Sequence, residues 1–252
     1  MPNSSNYLLG DSPRVLAHRG LAIEAPENTL LSFAKALALG VNIIETDVWA
    51  SADGLAIISH DEDLKRVADR DVRVDQLTAR ELSRIPLGEG QGFVTLSEAL
   101  EAFPDARFNI DLKTDQVVDP AVDAITAAQA SNRVLLTSFR ERRRGAAIRK
   151  LPDVATSLSI ESVARLLVAL RTRKSAAKRI LAGITAVQIP ERWSILPVLS
   201  PGLISLVHSY DVEVHVWTVN EEEDMRRLLD LGVDGLVTDR ADLAVKVIES
   251  RR

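Results

Sequence analysis

Short apolar runs alternate along the chain with stretches in which apolar residues recur at helical spacing. The first run, Val15-Leu16-Ala17, ends on His18-Arg19-Gly20. Pro26-Glu27-Asn28-Thr29 then reads as a helix start, since proline suits an early helical position and the polar side chains can satisfy free backbone N–H groups. Leu30, Phe33, Ala34 and Leu37 share a helical face, and Gly40 ends the helix. A strand over 41–48 follows, then the turn residues Ser51-Ala52-Asp53-Gly54 and an apolar run over 55–59 that stops at His60-Asp61.

Residues 61–93 break this rhythm. Charges are dense there and apolar pieces short, which reads as an excursion and not as another strand-helix unit. Thr95 resumes the pattern, with capping-box spacing to Glu98. Strands are predicted over 107–113, 134–139, 154–160, 184–189, 213–220 and 235–239. Helices are predicted over 118–130, 141–150, 163–173, 197–209, 221–231 and after Asp242. Such alternation means parallel βαβ units. With 55–59 set aside there are about eight units, the number of a closed (β/α)8 barrel, and 252 residues is an ordinary length for one. The expectation is a single domain over 1–252 with a small insertion at about 61–93, after the second barrel strand. The segments 40–47 and 232–239 echo one another, each a glycine, a strand and then Thr-Asp, which fits repeated βα packing better than duplication.

Composition narrows the function classes. A net charge of −5 argues against a general nucleic-acid binder. The absence of cysteine excludes disulfides and thiolate metal sites. Residues 1–10 lack the basic and long apolar regions of a signal peptide, and no apolar run approaches the ~20 residues of a membrane span. A cytoplasmic protein without stable membrane insertion is expected.

The candidate chemistry gathers at strand ends. Glu45 and Asp47, at i and i+2 of an apolar strand, point to one face. Two carboxylates buried there would repel and lose hydration, and a divalent cation removes both problems. The alternative is a pair held by backbone N–H groups or an arginine, and one pair does not decide between them. Asp111 and Lys113 repeat the i, i+2 pattern on the next barrel strand, which favours a site over an isolated salt bridge. Three carboxylates and no sulfur make an oxygen donor set suited to Mg2+ or Ca2+. His18 and His60 end apolar runs and suit a general acid and base. Arg19 and Lys113 suit a phosphate. Phe139 and Trp217 close strands and can wall a substrate, with core packing as the alternative. His208 and His215 read as structural, although His215 shares a face with Trp217 and could line the pocket. The basic runs 140–144 and 171–179 read as solvated helix faces. No phosphate-cradling glycine loop, Walker pattern or nucleophile elbow occurs.

Taken in order, His18-Arg19-Gly20, Pro26-Glu27-Asn28-Thr29, Glu45-Thr46-Asp47, Asp53-Gly54, His60-Asp61 with Leu64 and Arg66, Trp217-Thr218-Val219-Asn220 and Gly232-Val233-Asp234-Gly235 with Thr238-Asp239 resemble the glycerophosphodiester phosphodiesterase family of TIM-barrel enzymes. The resemblance runs over almost the whole chain. It implies metal-dependent hydrolysis of a small-molecule glycerophosphodiester to glycerol 3-phosphate and an alcohol. It also implies Glu45, Asp47 and Asp111 as metal ligands, His18 and His60 as acid and base, and Arg19 and Lys113 on the phosphate. Asp111 stands where the family usually carries Glu; Val67 and Val94 depart from its usual Thr and Pro. Two rival readings are a lysophospholipase D-like enzyme and a non-catalytic phosphate-ligand barrel. The first needs an apolar groove, of which the charge-dense insertion gives no sign.

Overall fold

The computed structural model describes residues 6–10, 12–172 and 174–251. Residues 1–5, half of the stretch searched for a leader, lie outside the described residues. So does Arg173, which ends the predicted 163–173 helix and belongs to the 171–179 basic run.

Eight parallel strands form the barrel: β1 (Arg14–His18), β2 (Ile43–Ala50), β3 (Arg107–Leu112), β4 (Val134–Thr137), β5 (Ala155–Thr156), β6 (Ala186–Pro190), β7 (Glu213–Trp217) and β8 (Gly235–Thr238). Their hydrogen-bonded order is β5-β4-β3-β2-β1-β8-β7-β6, every pair parallel. The ring closes between β5 and β6 through a Ser157–Ala186 bridge, and the Thr185 N–H donates to the Thr156 carbonyl at 2.8 Å. Alternate residues divide two layers of core. Leu16, Ile43, Leu135, Ala155, Ala186 and Val237 fill the interior. Ala17, Ile44, Phe108 and Leu136 face outward and pack with apolar residues of the surrounding helices, such as Phe33, Leu100 and Ile125. No helix among the described residues is long and apolar enough to cross a membrane.

Several boundaries differ from the sequence expectation for local reasons. The predicted 154–160 strand shrinks to Ala155–Thr156, because the next helix already begins at Ile160. Ser159 Oγ accepts the Ser162 N–H at 3.2 Å and turns the chain into that helix. The helix predicted over 197–209 spans Pro201–His208, capped by Ser200. Ahead of it the chain forms an unexpected hairpin, Arg192–Trp193 with Leu196–Pro197.

The run over 55–59 is the short strand Ala56–Ile58, antiparallel to β2 and outside the barrel. The insertion follows it. A two-stranded ribbon and the helix Ala79–Ser83 close over their own core of Ile57, Leu64, Val74, Leu82, Ile85 and Phe93. At the opposite end Tyr7 plugs the barrel floor. Arg107 donates to the carbonyls of Tyr7 and Leu9 at 2.7 and 2.6 Å, and Arg14 pairs with Glu213 at 2.8 Å.

Two readings of the sequence are corrected here. His215 does not line the mouth. It is fully buried, with Nε2 2.9 Å from Glu213 and its ring against Gly235, where an added Cβ would lie 2.6 Å from the ring. The 140–144 run is not a solvated face throughout. Arg140 and Arg142 are exposed, but Arg144 is buried against Glu141 and Thr156, and Arg143 donates to the Leu112 carbonyl.

Candidate active site

Parallel register builds the mouth in layers. His18 lies beside Glu45, and Glu45 beside Asn109. One pleat further, Asp47 lies beside Asp111, and Asp111 beside Thr137. The i, i+2 pairs on β2 and β3 therefore share one face and overlap at the level of Asp47 and Asp111, with Lys113 one pleat further out. His18, Arg19, Glu45, Asp47, His60, Asp111, Lys113, Phe139 and Trp217 all line a single cleft of about 200 Å3 at the carboxyl ends of the strands.

The turn after β1 is tightly constrained. Arg19 adopts a left-handed conformation (φ 56°), and Gly20 (φ 83°) passes so close to Ser32 that a Cβ would come within 2.5 Å of Ser32 Oγ. Arg19 then reaches Glu27 at 3.0 Å and stands 3.7 Å from Asp47.

Each histidine is oriented by an aspartate at Nδ1. His18 Nδ1 lies 2.6 Å from Asp239, and Nε2 lies 3.9 Å from Glu45. Asp239 in turn accepts from Asn220 at 2.7 Å. Burial works against a charged His18, but the Asp239 hydrogen bond and the Glu45 charge outweigh it and hold the imidazole above its ordinary value. His60 Nδ1 lies 2.7 Å from Asp61, which accepts from Arg66 Nε at 2.6 Å. Arg66 forks onto Glu27 with its other nitrogens at 2.9 and 2.6 Å. One ion-pair chain thus links His60 through Asp61, Arg66 and Glu27 to Arg19.

The three acids sit in the least comfortable part of the molecule. Burial, reinforced by the Asp47 charge, pushes Glu45 up to about 7. Burial also raises Asp111, despite Lys113. Lys113 Nζ lies 2.7 Å from Asp47 and 2.8 Å from Asp111, and these carboxylates hold its ammonium above the ordinary lysine value in spite of burial. Even so, Asp47 Oδ2, Asp111 Oδ1 and Asn109 Oδ1 are buried without a hydrogen-bond donor, and Asp111 Oδ2 has only its ion pair with Lys113. Among the described residues no group of three or more His, Cys, Asp or Glu side chains is already arranged around an ion position. Asp47 and Asp111 converge on the Lys113 ammonium instead. Unmet buried oxygens and a raised glutamate nevertheless suit a hard cation by their chemistry.

Phe139 and Trp217 meet at 6.0 Å, with Lys113 Nζ 5.7 Å from the Phe139 ring centroid. Beyond them the cleft is apolar, walled by Leu158, Ile160, Val163, Ile189, Val198 and Trp193. This groove was not foreseeable from the charge-dense insertion, because it arises from loops that follow β4 to β6. Sequence reasoning also left Asp61, Asp239, Glu27, Arg66 and Trp193 without roles. Their signals were present: an acid directly after His60, an acid at the end of β8, and a tryptophan in a connector.

The profile of the glycerophosphoryl diester phosphodiesterase family matches residues 18–243. A Mycobacterium tuberculosis protein named "Probable glycerophosphodiester phosphodiesterase 2" is 41% identical over 94% of this chain and 90% of its own. The crystal structure of glycerophosphodiester phosphodiesterase from Agrobacterium tumefaciens superimposes with a TM-score of 0.76 at 24% identity, covering 94% of this chain and 99% of that one. A phosphodiesterase of Oleispira antarctica, solved with the product sn-glycerol-3-phosphate, gives 0.77 at 23% identity over 94% and 97% of the two chains. The chain therefore belongs to the glycerophosphoryl diester phosphodiesterase family.

Proposed function

We propose that the cleft hydrolyses glycerophosphodiesters to sn-glycerol 3-phosphate and an alcohol, with histidine acid–base catalysis and a divalent cation, Mg2+ or Ca2+. The observation that carries this reading is the set of buried carboxylates with unmet oxygens, set beside two fixed cations and between two aspartate-oriented histidines. Glu45, Asp47 and Asp111 would hold the metal, which when bound supplies charge neutralisation at the phosphate.

Arg19 and Lys113 hold the phosphate oxygens in a site partly shielded from water, where their charge counts for more. One imidazole takes a proton from the attacking oxygen as it bonds to phosphorus; that oxygen belongs to water, or to the substrate's own hydroxyl, in which case water then opens the cyclic diester to glycerol 3-phosphate. The other gives a proton to the leaving alkoxide as the second P–O bond breaks. Asp239 and Asp61 fix the ring orientation that both transfers need. Phe139 and Trp217 wall the substrate. The proposed site is one catalytic unit of the whole chain, with the insertion supplying Arg66, working in the cytoplasm on a small-molecule diester.

The test is release of glycerol 3-phosphate from glycerophosphocholine. Activity abolished by a chelator, restored by Mg2+ or Ca2+ and lost in His18→Ala and His60→Ala supports the reading. Full activity in both variants overturns the mechanism, and phosphate-ligand binding without turnover leaves a non-catalytic barrel. The apolar wall favours a second reading, a lysophospholipase D-like specificity, the activity for which a Rattus norvegicus relative 24% identical over 90% of this chain is named. Turnover of lysophosphatidylcholine with none of glycerophosphocholine would establish it instead.

A further inference from the structure

The hairpin after β6 places its side chains unusually. Trp193 pairs with Leu196 and Arg192 with Pro197, so Ser194 (φ 53°) and Ile195 form the tip. Ile195 is 80% exposed, Leu196 67%, Phe139 across the cleft 45% and Trp193 36%. Large apolar side chains clustered on one rim mark an interaction surface. The hairpin is held in place at its base. The Glu191 carbonyl accepts the Val198 N–H at 3.0 Å, and the Glu191 carboxylate pairs with Arg227 at 2.8 Å.

We propose that this hairpin and Phe139 form a docking surface that seats the mouth of the cleft on an anionic lipid leaflet. Three features favour a lipid occupant. Trp193 and Phe139 both line the cleft, so exposed apolar side chains border its apolar wall. A protein seated on this rim would cover the entrance through which a diester arrives, whereas a leaflet presents phosphodiesters at the depth the rim reaches. The charge also matches. Arg140 faces Glu161 at 3.7 Å and Arg142 pairs with Asp115 at 3.0 Å, so both are balanced within the rim. Arg192 donates to the Ile195 carbonyl and has no carboxylate within ion-pair distance among the described residues. It supplies a cation at headgroup height above apolar side chains that enter the acyl boundary, with a tryptophan between, the arrangement of an interfacial binder.

The test is co-sedimentation of the full chain with vesicles of phosphatidylcholine, with and without phosphatidylglycerol, together with tryptophan emission. The expected result is binding to the mixed vesicles with a blue-shifted emission, weakened by salt. The double variant Ile195→Asp/Leu196→Asp should bind about tenfold more weakly or worse while hydrolysing water-soluble glycerophosphocholine as before. Arg192→Gln should weaken binding to mixed vesicles and leave binding to phosphatidylcholine alone unchanged. Wild-type protein that sediments with neither vesicle overturns the proposal, as does a double variant that binds like wild type. A dimer in sedimentation velocity that the double variant abolishes assigns the rim to a second copy and also overturns it. Loss of vesicle binding by Arg192→Gln still decides the matter if the double variant misfolds. Vesicle binding without any hydrolysis would count against the proposed reaction and leave the docking surface standing.

Discussion

The two ends of the barrel handle buried charge in opposite ways. At the floor Glu213 accepts from Arg14 and faces His215, while Arg107 and Arg14 spend their N–H groups on backbone carbonyls. Burial would raise Glu213, but the His215 and Arg14 hydrogen bonds prevail and hold its carboxyl below the ordinary value. At the mouth Glu45 and Asp111 are raised, and several buried oxygens have no well-directed donor. The same residue types thus serve structure at one end and stored electrostatic tension at the other. The lesson is that burial alone does not identify a site; unsatisfied burial does.

The contrast can be broken most sharply with His60→Ala, which should lower kcat by about 10²–10⁴-fold with little loss of stability, read by steady-state kinetics beside thermal melting. Glu213→Gln should do the reverse. Breaking a paired buried charge costs about 3 kcal/mol, so denaturant unfolding should show that loss while kcat is kept. The pH dependence should also differ in sign. Glu213 is ionised in the fold below its ordinary value near 4.5, so its contribution is in place above that pH and disappears as the pH falls through the lowered value. Glu45 is protonated in the fold where it would ionise in the unfolded chain. Chelator-treated protein should therefore lose stability as pH rises from the ordinary glutamate value toward about 7. Glu45→Gln should recover about 2–3 kcal/mol of that loss at neutral pH, measured by melting across a pH series. The smallest effect belongs to Arg66→Gln. Its link between His60 and Arg19 is half-exposed, so activity should fall by less than about fivefold, with a kcat change rather than a KM change if the link orients His60.

Much of the charged half of the site was legible because its residues lie on regular strands. A period of two placed Glu45 with Asp47 and Asp111 with Lys113, and strand-end positions placed His18 and His60. The echo between 40–47 and 232–239 also has a physical counterpart. Thr46 Oγ donates to Asn28 Oδ1 at 2.7 Å, and Thr238 Oγ donates to Asn220 Oδ1 at 3.2 Å, so each strand threonine ties down the preceding loop in the same way. The apolar half was not legible. Trp193 sits in a connector with no periodicity, and nothing local says it shares a cleft wall with Phe139, Leu158 and Val163.

The sequence by itself determined the alternation of elements, the barrel count, the excursion after the second strand and the acids, bases and cations at strand ends, because periodicity and capping are local. Tertiary structure alone decided the partners: Asp239 on His18, Arg66 between Asp61 and Glu27, Lys113 between two aspartates, and an apolar rim opposite the charged one. Asp239 and His18, Arg66 and Glu27, and Lys113 and Asp47 are far apart in the chain, and only the tertiary fold, with the barrel's fixed register, brings them within bonding distance.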